Sequence, residues 1–306
     1  MTVAVLCPGQ GAQRVGMGAE PVARSEAARE TFRRASAAIG VDLLALCREG
    51  PADRLTRTDV CQPAILAVSA ASLAYLEEIG RVRREDMRAA LGLSLGEYTA
   101  LYAAGVLELE DAVRLVRLRG IAMQAASEAV PSGMLSLLGA DRESAERVCA
   151  RAREGGGVCV VANLNAPGQV VVSGDKPTLA RAVPAAKAEG LRGTVALEVA
   201  GAFHSPLMEP ARASLEEAIA GTRFRTARFA VYSNATATPS RDAGVLRDNL
   251  VRQLTAPVLF EASVRRALAD GVARFLELGP GRVLSGLVKR TDRSAATESC
   301  DEGGAG

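Results

Sequence analysis

Tryptophan is absent from this sequence, and aromatic residues make up only 3% of it. Proteins that hold single-stranded nucleic acid stack bases on aromatic rings above a basic groove, and those that hold duplexes gather lysine and arginine on one face. With so few rings, and a net charge of +2 drawn from 37 basic and 35 acidic residues, this chain has the composition of neither. Histidine occurs once, at position 204. None of the six cysteines (Cys7, Cys47, Cys61, Cys149, Cys159, Cys300) stands in a C-x-x-C pair. A zinc site of ordinary spacing draws its ligands from such pairs and from paired histidines, so no metal and no metal cofactor are expected. Scattered thiols fit a reducing, cytoplasmic setting. No uninterrupted run of about 18 apolar residues occurs, so no membrane span is expected. The opening MTVAVLCPGQGAQ lacks a basic n-region and reads as a first strand.

What is present is an ordinary globular composition: 306 residues, 48% hydrophobic and 24% charged, enough to bury a large core. A compact apolar run over 2–7 ends in Pro8-Gly9-Gln10-Gly11, a strand followed by a loop. Helical patterns cover 21–39 and 62–79, and a short strand over 88–93 gives way to a helix over 97–104. The stretch 133–199 has its own order: strand, helix, strand, strand, helix, strand. That βαββαβ succession is expected to form a ferredoxin-like subdomain inserted in a larger α/β fold. Strands near 229–233 and 274–277, with helices near 206–220, 247–254 and 260–269, resume the outer pattern. The expected organisation is a discontinuous core of 1–130 and 200–290, a subdomain of 131–199, and a small, polar, Gly-ended tail of 291–306 that we expect to be disordered.

Within this frame Gly92-Leu93-Ser94-Leu95-Gly96 matches G-x-S-x-G. A strand, a tight glycine-flanked serine turn and a helix are the context of a nucleophile elbow. Serine is a weak nucleophile and needs a base. His204 is the only imidazole available, and it stands in a strand-to-helix loop, GAFHSP, at 201–206. A lone histidine is more often an idle core or surface residue; the elbow shifts the balance toward catalysis. The only aspartates between Glu110-Asp111 and His204 are Asp141 and Asp175, and both read as subdomain surface. A backbone carbonyl could fix the imidazole tautomer instead, so a Ser-His dyad is expected in place of a triad. The Leu95 amide, opening the elbow helix, is placed to bind an oxyanion, and the 8–11 loop could bring a second N–H.

Arg119 is the other informative residue. On a helix over 111–126, the apolar face gathers Ala112, Leu115, Val116, Ala122 and Met123, with Arg119 in its middle. Arg114 and Arg117 fall on the opposite side. A buried guanidinium needs a partner, which could be a structural carboxylate or a carboxylate of the substrate held bidentately.

Taken together the chain resembles the malonyl-CoA:acyl carrier protein transacylases, acyltransferases of fatty acid and polyketide biosynthesis. The carriers stand in order: PGQGAQ at 8–13, QPA at 62–64, GLSLGEYTAL at 92–101, RLRGIAMQ at 117–124, NLNAPGQVVVSG at 163–174, GAFHSPLM at 201–208, VRQL at 251–254 and ELGPGRVLSGL at 277–287. The resemblance implies a hydrolase-like α/β core with a central, mostly parallel sheet. It implies that Ser94 becomes acylated, His204 acts as base, Arg119 holds the malonyl carboxylate, and the backbones of Gln10 and Leu95 form the oxyanion hole. Pocket positions would be Gln62, Leu93, Met123, Phe203 and Gln253. Phe203 is similar to the residue of malonyl-selective members. Many members carry histidine where this chain has Leu93; leucine there leaves His204 as the sole base.

The implied partners are malonyl-CoA and an acidic holo acyl carrier protein, with no other cofactor, no nucleic acid and no membrane. The basic residues Lys187, Arg192, Lys289 and Arg290 could rim the mouth. Two rivals use the same residues differently: an acyl hydrolase or thioesterase, in which water replaces the acceptor thiol, and a non-catalytic carrier-protein docking module.

Overall fold

The computed structural model describes residues 2–300. In chain order the elements begin with β1 (Val3–Cys7), α1 (Ala19–Arg24), α2 (Glu26–Ile39), α3 (Leu43–Glu49), α4 (Ala52–Thr56) and α5 (Thr58–Glu78). They continue through β2 (Met87–Gly92), α6 (Gly96–Ala103), α7 (Leu109–Ala129), β3 (Ser132–Leu138), α8 (Arg142–Ala152), β4 (Cys159–Ala166), β5 (Gln169–Asp175), α9 (Lys176–Ala188) and β6 (Gly193–Ala196). The last are α10 (Glu209–Ala220), β7 (Ala230–Tyr232), β8 (Pro239–Ser240), α11 (Ala243–Gln253), α12 (Phe260–Ala269), β9 (Arg274–Glu277), α13 (Val283–Thr291) and β10 (Ala296–Ser299).

Six strands form one sheet in the order β10-β9-β1-β2-β7-β8, parallel except for the β7–β8 pair. Side chains alternate across a strand, and β1 divides accordingly. Val5 and Cys7 join the core made with α2, α5, α7 and α10, while Ala4 and Leu6 face α12 and α13. With both faces covered, β1 needs no polar side and reads as the continuous apolar run VAVLC. The result is an α/β core with helices on both sides of a mostly parallel sheet.

The second sheet is antiparallel, in the order β4-β5-β3-β6, and encloses its own core with α8 and α9. Asp141 and Asp175, read from sequence as surface residues, accept from Ser144 N and Thr178 N and so cap the starts of α8 and α9. Backbone bonds Leu164 N to Val258 O (2.9 Å) and Val258 N to Ala162 O (2.8 Å) fasten β4 to the main core.

Two expectations need correction. The helical pattern over 21–39 is broken at Ser25, whose extended backbone ends α1 and whose hydroxyl caps α2 at Ala28 N. The tail is not disordered from 291 onward. Thr291 closes α13, and β10 adds a parallel edge strand to β9 with Ala296 opposite Arg274 and Ser299 opposite Glu277. Small polar residues suffice there because backbone pairing, along with Glu298 contacts to Arg81 and Arg274, supplies the bonds; positions 301–306 lie outside the described residues. No membrane span is expected from the sequence, and although α5 is long and apolar enough to cross one by length and composition, Gln62, Pro63, Ser69 and Ser72 interrupt its apolar runs. Of its apolar window, 89% is buried inside this protein. Such all-round apolarity is what a central core helix requires.

Candidate active site

β1 and β2 lie side by side and end together, with Cys7 opposite Gly92. Their two following loops therefore meet at one edge of the sheet, and glycine makes the approach possible. A Cβ on Gly96 would fall 1.9 Å from Cys7 O, and one on Gly92 would fall 2.0 Å from the Gly96 carbonyl carbon. A Cβ on Gly9 would reach Leu93 O at 2.5 Å. Between these glycines Ser94 is held at φ +54°, a left-handed conformation that costs a non-glycine residue free energy and is retained where the surroundings over-determine it. Those surroundings include Asn234, just beyond β7. Its Oδ1 accepts from Ser94 N (2.7 Å), and its Nδ2 donates to Gly92 O (2.7 Å).

The lone histidine arrives from the loop between the inserted sheet and α10. His204 also has a left-handed backbone, φ +56°. Its loop is pinned by Ser173 Oγ donating to Phe203 O (2.5 Å) and by Ser205 Oγ donating to Ala202 O (2.6 Å). This brings Nε2 to 2.7 Å from Ser94 Oγ and Nδ1 to 2.9 Å from the main-chain carbonyl of Gln253, the last residue of α11. Only a protonated Nδ1 can donate to a carbonyl, so Nε2 is left as the acceptor for the serine hydroxyl. Burial, and then the positive charge of Arg119, push the His204 pKa down to about 4, against favourable bonding to Gln253. The imidazole is therefore neutral at neutral pH, in the tautomer a base needs. No carboxylate is required behind it.

Arg119 is 2% exposed and lies in the middle of α7, as its sequence periodicity implies. The structure gives it no carboxylate partner among the described residues. Nη1 donates to Gln62 Oε1 (2.8 Å), and Nη2 donates to Gln253 Oε1 (3.1 Å) and to Ser94 Oγ (2.9 Å). Its Nε–H is buried without a partner, and its carbon sits 5.7 Å from the Tyr98 ring centre. An arginine satisfied only by neutral oxygens, with a donor to spare, has capacity for an anion. Arg117, on the side of α7 away from Arg119, is half-buried and bonds Asp59.

Of the remaining sequence candidates, Gln62 donates weakly to Met123 Sδ (3.6 Å) beside Arg119. Phe203 is buried in the main core, and Leu93 is partly buried on the α12 side. Gln10 is partly exposed, its side chain donating to Thr58 Oγ1 (3.2 Å). Leu95 is fully buried at the start of α6.

The family of the chain follows from comparison. A model described as "Acyl transferase domain" matches residues 5–302. The chain belongs to this acyl transferase family. The "Malonyl CoA-acyl carrier protein transacylase" of Bacillus subtilis is 42% identical over 298 residues, covering 96% of this chain and 92% of that protein. The Escherichia coli K12 protein of the same name is 42% identical over 290 residues, covering 94% and 92%. Among solved structures, an acyl-carrier-protein S-malonyltransferase from Bartonella henselae superimposes with a TM-score of 0.93 at 36% identity, covering 99% of this chain and 96% of that one. A malonyl-transacylase solved in complex with its type II PKS acyl-carrier protein matches with a TM-score of 0.92 at 38% identity, covering 99% and 97%.

Two residues of this candidate site escaped sequence reasoning. Asn234 follows a three-residue strand with no motif of its own; only the β2–β7 pairing brings it to Ser94. Glu97 is fully buried in the first turn of α6, where Oε2 accepts from Gln253 Nε2 (2.7 Å) and Asn234 N (3.1 Å). The available signal was a single carboxylate in an otherwise uncharged elbow helix, GEYTALYA.

Proposed function

We propose that this chain transfers a malonyl group from malonyl-CoA to the phosphopantetheine thiol of an acyl carrier protein, through an ester on Ser94. The observation that carries the reading is convergence on one atom. Ser94 Oγ lies 2.7 Å from a neutral imidazole nitrogen and 2.9 Å from a buried guanidinium with no carboxylate of its own. The first contact suits deprotonation of the serine. The second suits an acyl group that ends in a carboxylate, placed within reach of the same serine.

In the first half-reaction Ser94 Oγ attacks the thioester carbon while His204 Nε2 takes its proton. The carbonyl oxygen becomes an oxyanion facing the Gln10 and Leu95 amides, neither of which has a hydrogen-bond acceptor among the described residues. The C–S bond breaks and His204 returns the proton to the departing CoA sulfur. In the second half-reaction the carrier thiol gives its proton to His204 and attacks the ester carbon. The C–O bond breaks, and Ser94 recovers the proton. Arg119 holds the carboxylate throughout, in a pocket with Gln62, Leu93, Met123, Phe203 and Gln253. These steps use only groups of this chain and its two substrates, with no metal or other cofactor.

Names of the relatives support malonyl-CoA and carrier protein as substrates. Arg192 and Arg290 are exposed near one another, since Arg192 packs on Gly139, Gly139 bonds Gly168, and Arg290 bonds the adjacent Gln169. They suit docking of an acidic carrier protein, as do the exposed Lys187 and Lys289. Six free cysteines suit a reducing cytoplasm. For the fold we infer a hydrolase-like core of 1–130 and 200–290. The insert at 131–199 is ferredoxin-like, a reading supported by its β3-α8-β4-β5-α9-β6 succession and its β4-β5-β3-β6 strand order.

The test is intact-protein mass spectrometry after brief exposure to malonyl-CoA. A malonyl adduct is expected on the wild type, absent from Ser94→Ala and discharged by holo carrier protein. Rapid malonate release in place of transfer would instead identify a hydrolase. Neither adduct nor turnover would leave a docking module.

A further inference from the structure

Glu97 is a buried carboxyl that the two half-reactions leave unused. It is 0% exposed, and its pKa is pushed up to about 7 by burial, opposed by bonds from Gln253, Asn234 and Ser233 and by the Arg119 charge. Oε2 holds both of the strong hydrogen bonds; Oε1 is buried with no bond of good geometry, although the Ser233 hydroxyl favours the ionised form. Gln253 bridges the two charged groups. Its Nε2 donates to Glu97 and its Oε1 accepts from Arg119. Glu97 and Arg119 are thus one negative and one positive charge, sealed in the same core and linked through a single amide.

A carboxylate-bearing acyl group adds a second negative charge to this pair. Burying an unbalanced charge is costly, and a like charge raises the pKa of a neighbouring carboxyl. We propose that Glu97 takes up a proton when an acyl carboxylate occupies Arg119 and releases it when that acyl group leaves. The proton comes from solvent, resides on Oε1, where no donor has to be displaced, and returns to solvent after transfer. No other bond changes. The proposal rests on the reading that Ser94 accepts a malonyl group with its carboxylate on Arg119.

The other titratable groups on the packed elements do not compete for this proton. His204, from the loop before α10, is already neutral. Tyr98 on α6, Cys7 at the end of β1 and Cys61 on α5 have pKa values raised by burial and stay protonated. Gln253 on α11 and Asn234 after β7 carry no charge.

A rise of about one pKa unit would take Glu97 at pH 7.5 from about one-quarter to about three-quarters protonated, an uptake of about half a proton per site. The experiment mixes enzyme with malonyl-CoA or acetyl-CoA in weak buffer with an indicator dye and measures the adduct in the same samples by mass spectrometry. Subtracting the acetyl signal per adduct removes the contribution of released CoA. The expected difference is about half a proton in the wild type at pH 7.5, less than about a tenth at pH 5.5, where Glu97 is protonated beforehand, and none in Glu97→Gln. The two wild-type measurements decide the matter even if that variant does not fold. A complete malonyl adduct without uptake, or equal uptake in Glu97→Gln, overturns the proposal. Absence of any malonyl adduct overturns the Ser94 reading and this one with it.

Discussion

On the proposed function, replacing Arg119 with alanine should leave an enzyme that hardly distinguishes malonyl from acetyl. The guanidinium is 2% exposed, and its donors reach Gln62, Gln253 and Ser94 Oγ, so an acyl carboxylate meeting it is shielded from water. Loss of a desolvated, hydrogen-bonded charge pair costs about 2–5 kcal/mol. At about 1.4 kcal/mol per factor of ten, the malonyl-over-acetyl ratio of kcat/KM should fall about 30- to 4,000-fold. The drop should come from the malonyl side, because acetyl has no carboxylate to lose a partner. The assay is single-turnover acylation of Ser94 with each thioester, followed by mass spectrometry. Truncation also leaves the Gln62 and Gln253 oxygens without their donor, at about 1–3 kcal/mol for each buried group left unsatisfied, so a thermal melt must show the variant folded. Arg119→Lys keeps the charge but loses the fork and should recover only part of the preference. A folded Arg119→Ala enzyme that retains the wild-type ratio would refute the assignment.

Other outcomes follow from the same geometry. His204→Ala should slow acylation about a thousandfold or more, with folding intact by circular dichroism. Because His204 is neutral down to about pH 4, the rate of acylation by acetyl-CoA, which brings no carboxylate to Arg119, should stay level through pH 6 and fall only as pH drops through about 4. In Arg119→Ala, where a nearby positive charge is gone, that acid limb should move to higher pH. The same residue contributes to acid lability. Its folded pKa lies below its ordinary 6.5, so the unfolded chain binds more protons between these values, and stability should be lost as pH falls from about 6.5 toward 4 in denaturant titrations. Gly96→Ala should cost about 3 kcal/mol or more in urea unfolding, since its Cβ would strike Cys7 O at 1.9 Å. Gly286→Ala, in open space on α13, should instead stabilise by about 0.5–1 kcal/mol. Asn234→Ala should lower kcat more than it raises KM, because Ser94 N and Gly92 O lose the side chain that holds the elbow.

Several of these residues are legible in the chain because local physics marks them. Ser94 stands between glycines that only a tight strand-to-helix turn demands, and Arg119 interrupts an apolar helical face where a charge has to be explained. His204 is visible by elimination, being the only imidazole present. The alternation of strand and helix patterns likewise announces an α/β core, and the βαββαβ run over 133–199 announces a second sheet. Other features carry no such mark. β10 pairs through its backbone, so its side chains look like a tail. α5 is apolar on every side, so its sequence alone does not separate a membrane span from the centre of a core.

Sequence by itself determined which groups this protein has for chemistry: one serine in an elbow, one histidine, one misplaced arginine. It did so because residue identity and short-range periodicity are local properties. Tertiary structure alone decided how they work together. The Gln253 carbonyl fixes the imidazole tautomer, the Gln253 side chain joins Arg119 to Glu97, and Asn234 clamps the elbow. These are main-chain and amide contacts across 49 to 156 residues of chain. No pattern within one segment encodes them, because they exist only once the ends of β1, β2 and β7 stand at one edge of the sheet with α7 and α11 packed against it.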